Sequence, residues 1–327
     1  MQLVLDTMGL KVSVRNDCFL VQSKTTKRLI SPQRVSSIVV NTTVLISSKV
    51  LLLASQYDIP FSILPTAHEP ILILSMHQAK HAELRQCQWL NQQHTASFLF
   101  VKKCIELKVE LQKNLLLKLA HTKSTPTALL KSYIQKMEGI AKSILLLEND
   151  EQKSWTNSLM GYEGSIAKIY WQSISESLPA PFRFEKRSRR PATDLFNASL
   201  NYLYALLEST VQASILSCRL DPFCGILHTT AHAHKALVYD LMEPFRPWID
   251  RLVIELILEN SLTLTLANEA HTQKGVLLTK EQRKLLVMEY NGLLETKRKW
   301  QNQVSPVKNH ILNLSAQFAK LQLNINK

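Results

Sequence analysis

The hydrophobic pattern of the chain changes its period near residue 75, and this change limits the possible folds more than any other feature. The first part carries short alternating or β-branched runs separated by polar turns, which are typical of strands. The second part carries Leu, Ile and Ala at three- and four-residue spacing, which is typical of helices. The pattern therefore predicts an α+β chain with a small N-terminal β-rich domain, residues 1–75, and a larger helical domain, residues 76–327.

Strands are predicted at 3–5, 10–14, 18–21, 37–40 and 60–64, in one small mixed sheet, with a short helix at 47–56. Helical segments are predicted at 79–120, 126–148, 158–178, 195–217, 229–244, 248–264, 279–299 and 306–324.

The charge balance favours a polyanionic partner. The 327 residues carry a formal net charge of +13, which attracts DNA or RNA ahead of acidic membranes. A generally solvated basic surface is the alternative, and charge alone does not decide between them. The seven glycines argue against glycine-rich phosphate-binding loops.

Cysteine usage and hydropathy indicate a cytoplasmic protein with no membrane partner. The five cysteines are scattered and odd in number, as expected for reduced thiols. Charged residues interrupt the N-terminal segment, so we expect no signal peptide. The apolar runs are far too short to cross a bilayer.

Glu163 is the first candidate site residue. It precedes an apolar helical pattern and would share a helix face with Ile166 and Tyr170. A carboxylate on such a face costs several kcal/mol unless it is paired or coordinated. The alternative is a glutamate in the first helical turn that satisfies free backbone amides.

Asp240 and Glu243 are three residues apart, so on a helix they lie about 60° apart and both can face one ion. Pro244 follows immediately, and we expect it to kink or end the helix at Glu243. The alternative is a solvated acid pair bridged to Arg246.

His228 follows a constrained loop that contains Gly225. A single histidine on such a loop is usually structural, and His232 or His234 could take its place. A zinc site is a further alternative, built from Cys218, Cys224, His228 and His232. The cysteines are spaced too widely for a standard zinc knuckle, so zinc is disfavoured.

Five motifs in a fixed order then resemble a known family. The segments 161–164, 190–197, 200–207, 220–228 and 237–247 are similar to those of the CRISPR-associated spacer-acquisition integrases, the Cas-one family. The resemblance covers essentially the whole chain. It implies a β-rich N-terminal domain for dimerisation and partner docking, followed by a helical catalytic domain.

The resemblance also implies roles for individual residues. Glu163, His228 and Glu243 correspond to the metal ligands, and Asp240 to an acid beside the metal. Two carboxylates and one imidazole suit Mg²⁺ or Mn²⁺ better than Zn²⁺. The candidate DNA contacts are Arg85, Lys108, Lys186, Arg187, Arg189, Arg190, Tyr239 and Arg246.

The implied activity is that of a metal-dependent DNA integrase and endonuclease. The 3′-hydroxyl of a captured double-stranded fragment would attack a phosphodiester of CRISPR repeat DNA. The implied assembly is a homodimer that joins a small ferredoxin-like Cas-two partner in a larger complex. Two alternatives stay open, namely a non-catalytic DNA-binding scaffold and a related integrase of a mobile element outside CRISPR.

Overall fold

The structure of the chain is a computed structural model. The structure describes residues 1–63, 71–74, 82–120, 127–147, 154–189, 191–228, 235–262 and 275–325. A strand-rich N-terminal region is followed by a mostly helical body, which confirms the predicted α+β class.

The N-terminal region contains two mixed sheets rather than the single sheet that was predicted. Its strands are β1 Gln2–Leu5, β2 Lys11–Arg15, β3 Cys18–Gln22, β4 Lys27–Ile30, β5 Ser37–Val40, β6 Leu45–Ile46, β7 Phe61–Ile63 and β8 Ile71–Leu74. One sheet has the order β1-β5-β7-β8 and the other the order β4-β3-β2-β6. The prediction was wrong because β4 is exposed and β6 has only two residues, so neither shows a buried alternating face.

The helices of the described residues follow the predicted segments closely. They are α1 Ser48–Gln56, α2 Ala82–Leu90, α3 Thr95–Ala120, α4 Thr127–Leu145, α5 Ser154–Ser177, α6 Leu195–Ser217, α7 Ala236–Met242, α8 Arg246–Leu258, α9 Lys280–Glu295 and α10 Val307–Asn324. Pro244 has the predicted effect, since α7 ends at Met242 and a 3₁₀ turn, Glu243–Phe245, leads into α8.

Two predicted helices are interrupted by other structure. The segment 79–120 is divided by a turn between α2 and α3, where the Asn91 side chain donates to the carbonyl of Gln322 at 3.0 Å. The segment 279–299 leaves the helix after Glu295 and forms an antiparallel hairpin of β9 Lys297–Trp300 and β10 Gln303–Pro306. Trp300 is buried against Phe245, so a tertiary contact overrides the helical pattern there.

The hydrophobic core forms two clusters. One lies among the N-terminal strands and α1, and the other extends from Val39 of β5 through the helical region to Phe318. The long helix α6 joins them, because Ser209 hydrogen-bonds to Ser62 of β7 at 3.0 Å. The predicted domain boundary at 75/76 lies outside the described residues and stays a prediction.

Helix α3 positions the candidate site. It packs against α4, α5, α8 and the 3₁₀ turn that begins at Glu243. Residues from three separate elements therefore meet beside one helix. In the described parts of the chain, no helix is long and apolar enough to span a bilayer.

Candidate metal centre

Asp240 holds the loop that carries His228. Its carboxylate is fully buried and accepts hydrogen bonds from the amides of Ile226 at 2.6 Å, Leu227 at 3.2 Å and His228 at 3.2 Å. The Asp240 carboxylate has a fourth partner, Nδ1 of the His228 ring, which lies 2.7 Å from Oδ1. With the Nδ1 proton donated to Asp240, the lone pair of Nε2 is free to bind an electrophile.

The same loop is fixed from its other side. A Cβ on Gly225 would lie 2.5 Å from the carbonyl carbon of Ala236, so only glycine allows the loop to approach the start of α7. Gln88 of α2 is fully buried and donates to the carbonyls of Asp221 at 2.8 Å and Cys224 at 3.0 Å. His228 therefore sits at the end of a rigid segment.

Glu163 and Glu243 converge on the ammonium group of Lys108. Glu243 begins the 3₁₀ turn after α7, and its Oε2 lies 2.7 Å from Nζ of Lys108. Glu163 comes from α5 and accepts a hydrogen bond from the same Nζ through Oε1. Nε of Arg246 lies 2.9 Å from Oε1 of Glu243. Two acids and two cations thus form one cluster.

These positions decide between the alternatives left open for the acids. Glu163 lies in the middle of α5, so the reading as a first-turn glutamate is wrong. Asp240 and Glu243 are both buried, so the reading as a solvated pair is wrong as well, although the predicted bridge from Glu243 to Arg246 is present. The two acids also differ in contacts, since Asp240 holds the His228 loop and Glu243 faces the cations.

The pKa values reflect this clustering. Burial acts to raise the pKa of Glu243, but Arg246 and Lys108 outweigh it and lower that pKa to about 2. Burial acts to lower the pKa of Lys108, but the two carboxylates raise it above its usual value. Burial also acts to lower the pKa of His228, but Asp240 and, more weakly, Glu243 raise it above its usual value. Glu243 and Lys108 are therefore both charged at neutral pH.

The donor set fits a hard divalent cation. Oε2 of Glu243 is buried, and the Lys108 ammonium lies 2.7 Å from it. A buried carboxylate oxygen beside a second carboxylate and a fixed imidazole matches the ligands that Mg²⁺ and Mn²⁺ take. Among the described residues, however, no three His, Cys, Asp or Glu side chains are already grouped closely enough to hold an ion. The ligand set thus stays a prediction.

The zinc alternative gains nothing from the cysteine positions. The thiol of Cys224 donates to the carbonyl of Gln88, and that of Cys218 lies against the carbonyl of Leu312. Each thiol thus has its own backbone partner. His232 and His234, the other candidates on this segment, lie outside the described residues.

A second buried cluster adjoins the first and was missed by the sequence reasoning. Asp250 of α8 accepts hydrogen bonds from the hydroxyls of Tyr170, at 2.8 Å, and Tyr204. The Arg246 and Arg187 guanidinium groups lie 5.0 and 5.5 Å from the Tyr204 ring centroid. Burial raises the pKa of Asp250 to about 6. An acid among the apolar residues of α8 was the available signal.

The candidate DNA contacts occupy different environments. Lys186 and Arg189 are exposed, whereas the Arg187 guanidinium donates to the side chains of Asn197 at 2.8 Å and Asn201 at 2.7 Å. Arg85 is half-buried and donates to the carbonyl of Arg219 at 3.4 Å.

Tyr239 packs edge-on against the His228 ring with centroids 6.1 Å apart, and Lys108 and Arg246 belong to the acid cluster. Arg190 lies outside the described residues. All eight stay predicted DNA contacts, and the internal contacts of Arg187 weigh against that role.

Comparison with known proteins identifies the family. A family model described as CRISPR associated protein Cas1 matches residues 3–292. The chain belongs to the Cas1 family. This confirms the resemblance seen in the motifs.

Two curated relatives illustrate the range of similarity. A CRISPR-associated endonuclease Cas1 from Archaeoglobus fulgidus is 30% identical over 271 residues, which cover 79% of this chain and 78% of the relative. Another, from Methanospirillum hungatei, is 41% identical over 108 residues, which cover 33% of this chain and 31% of the relative. The match thus spans only about a third of the length of the second relative.

Solved structures share the fold at low identity. A casposase bound to integration product has a TM-score of 0.80 and 22% identity, covering 100% of this chain and 92% of that one. A Cas1 protein from Thermotoga maritima has a TM-score of 0.76 and 20% identity, covering 98% and 97%. A Cas6-RT-Cas1–Cas2 complex has a TM-score of 0.79 and 19% identity, and the match covers 99% of this chain and 35% of that one.

Proposed function

We propose that this Cas1 family member is a metal-dependent DNA integrase and endonuclease of CRISPR adaptation. The observation that carries the proposal is the convergence of Glu163 and Glu243 on one cation, beside a histidine fixed by Asp240. Clusters of ionisable groups with shifted pKa values occur preferentially at functional sites, so the grouping of these acids favours a functional role. The relatives named endonucleases support the nuclease activity.

Glu163, His228 and Glu243 would hold the metal ion, Mg²⁺ or Mn²⁺. The carboxylates supply two oxygen ligands and Nε2 of His228 supplies the third ligand. Asp240 orients the imidazole, and Gly225 allows its loop to approach α7. When bound, the ion would polarise the scissile phosphate and stabilise the negative charge that develops on it.

The remaining chemistry needs no protein nucleophile. The 3′-hydroxyl of a DNA fragment would displace one strand of repeat DNA in a direct transesterification, and water in its place would give hydrolysis. The chain would orient the ligands and exclude bulk water around Glu243, since this residue is only 4% exposed.

The partners follow from the reaction and from the solved complexes. Two fragment ends must be joined, and one site per chain therefore implies a homodimer. The Cas6-RT-Cas1–Cas2 complex supports a Cas2-type partner, and the casposase bound to integration product supports integration as the reaction. The net charge of +13 favours contacts to the phosphate backbone.

The test is strand transfer of a duplex with free 3′-hydroxyl ends into a supercoiled plasmid that carries a CRISPR repeat. We expect joining in Mn²⁺ or Mg²⁺ and none in EDTA, with His228→Ala inactive but still bound to DNA. Glu176→Gln is the matched control, because Glu176 lies on α5 with Glu163 but accepts from Tyr133 at 2.9 Å, away from the acid cluster.

Two results would overturn the proposal. Full joining in EDTA would remove the metal mechanism. If the protein bound DNA but neither joined nor cleaved it with any divalent cation, the alternative function as a non-catalytic DNA-binding scaffold would be favoured.

A further inference from the structure

Lys108 lies where a dication bound by Oε1 of Glu163 and Oε2 of Glu243 would sit. Its ammonium is hydrogen-bonded to Glu163 and lies 2.7 Å from Oε2 of Glu243, and the whole residue is only 7% exposed. A dication held by the same two oxygen atoms would sit within contact distance of Nζ, and the like charges would repel each other strongly in this buried setting.

The charges of the cluster are balanced with Lys108 in place. Glu163 and Glu243 carry two negative charges, and Lys108 and Arg246 carry two positive charges. Arg246 contacts Glu243 from the side of Tyr204, where its guanidinium lies over the ring. Lys108 is thus the cation that joins the two acids, whereas Arg246 contacts one of them.

We propose that Lys108 is an exchangeable internal cation, which holds Glu163 and Glu243 together and gives up this position when a divalent ion binds. The inference rests on the proposed metal centre and deepens it. Lys108 is on this account a positioning residue, since it keeps two carboxylates from α5 and the 3₁₀ turn at the spacing that the ion uses. Glu163, whose side chain is 29% exposed, provides the open side toward which the ammonium can move.

The proposal predicts opposite effects of one substitution on two measurements. Lys108→Met removes the charge with little change in length, so it leaves two acids facing one another. We expect the melting temperature without divalent ions to fall by about 5 °C or more, because a buried ion pair loses one partner. We expect Mn²⁺, measured by isothermal titration calorimetry, to bind about tenfold more tightly than to the wild type, because the competing charge is gone.

Lys102 provides a matched control on the same helix. It is as buried as Lys108, at 7% exposed, but donates to the carbonyls of Leu145 and Leu147, both at 2.9 Å. Lys102→Met should also lower the melting temperature, but it should leave the affinity for Mn²⁺ unchanged. A tighter affinity in both variants would show a general charge effect and would overturn the proposal.

A second variant keeps the proposal testable if Lys108→Met does not fold. In the double variant Lys108→Met with Glu163→Gln the charge is balanced again, so the melting temperature should return toward that of the wild type. A double variant that stays unfolded or as destabilised as the single one would contradict the pairing of Lys108 with these acids.

The binding results separate two failures. If Lys108→Met bound Mn²⁺ no more tightly than the wild type, the proposed cation exchange would be wrong but the proposed metal centre would remain possible. An absence of Mn²⁺ binding to either protein would overturn the metal centre, and the exchange with it.

Discussion

The N-terminal strands and the helical region bury different kinds of side chain. In residues 1–63, the buried polar side chains are the neutral Gln2, Ser37 and Ser62. In the described part of the helical region, the buried charged residues are Lys102, Lys108, Glu208, Lys235, Asp240, Glu243 and Asp250. Since burial of a charge is costly without a partner, this contrast separates a region with an uncharged core from the region that contains the candidate site.

The buried charges of the helical region are themselves of two kinds. Lys102 is satisfied by backbone carbonyls and Lys235 lies 3.2 Å from Glu208, as in ordinary structural pairs. Lys108 and Glu243, by contrast, share a cluster with a partly exposed second acid, Glu163. The sharing of one lysine by two acids, more than burial, distinguishes the candidate site from these structural pairs.

The largest expected effect is on activity. Glu243→Gln keeps the shape of the side chain but removes a charge that the metal ion needs, so we expect strand transfer to fall by about 10³-fold or more. Affinity for duplex DNA in EDTA should change little. The measurement is the initial rate of joining, with DNA binding followed by fluorescence anisotropy. Retention of more than a tenth of the rate would contradict the role of Glu243.

The next largest expected effect is on the stability of the N-terminal strand region. Phe19 of β3 is fully buried in the N-terminal cluster, so Phe19→Ala should lower the free energy of unfolding by about 3–5 kcal/mol. The activity per folded molecule should be close to that of the wild type, since no charge of the acid cluster is altered. Denaturant unfolding and an active-fraction assay measure the two quantities. If Phe19→Ala lost activity with unchanged stability, the distinction between the two regions would be wrong.

A smaller effect concerns pH and Asp250. Burial raises the pKa of Asp250 to about 6, whereas an unfolded aspartate titrates near 4, so the folded state retains this proton between the two values. Stability should therefore fall as pH rises from about 4 to about 6, by on the order of 3 kcal/mol for this group.

Asp250→Asn should flatten that part of the stability profile, measured by urea unfolding at several pH values. The Tyr170 and Tyr204 hydroxyls can each still hydrogen-bond to the amide. An unchanged pH dependence would show that Asp250 is already ionised in the folded protein at pH 4.

The smallest effect separates two neighbouring arginines. Arg189 is exposed, so Arg189→Gln should reduce the slope of log affinity for DNA against log salt by about 1. Arg187 is bound to Asn197 and Asn201, so Arg187→Gln should lower the melting temperature and leave the slope unchanged. The reverse pattern would place Arg187 on the DNA and return Arg189 to an ordinary solvated charge.

The sequence predicted those elements whose signal is local. Helix α6 runs over 195–217 as its three- and four-residue spacing indicates, and Pro244 ends α7 after Met242. The two-residue β6 and the hairpin at Trp300 were not predicted, because each is stabilised by partners distant in sequence. Periodicity contains no information about such partners.

The same limit applies to the site. The motifs indicated Glu163, His228 and Glu243 as ligands and Asp240 as a neighbouring acid, but they did not predict that Asp240 holds the His228 loop. Lys108 was predicted as a DNA contact and lies between the acids. Its position depends on the packing of α3 against α5, which spacing along one helix does not determine.

Diffraction from crystals soaked in MnCl₂, with data collected at the manganese absorption edge, tests whether Glu163, His228 and Glu243 bind one divalent ion. We expect a single anomalous peak bonded to a carboxylate oxygen of each glutamate and to Nε2 of His228, with Lys108 displaced. A map with no peak there, and with Lys108 still joining the two carboxylates, would contradict this expectation.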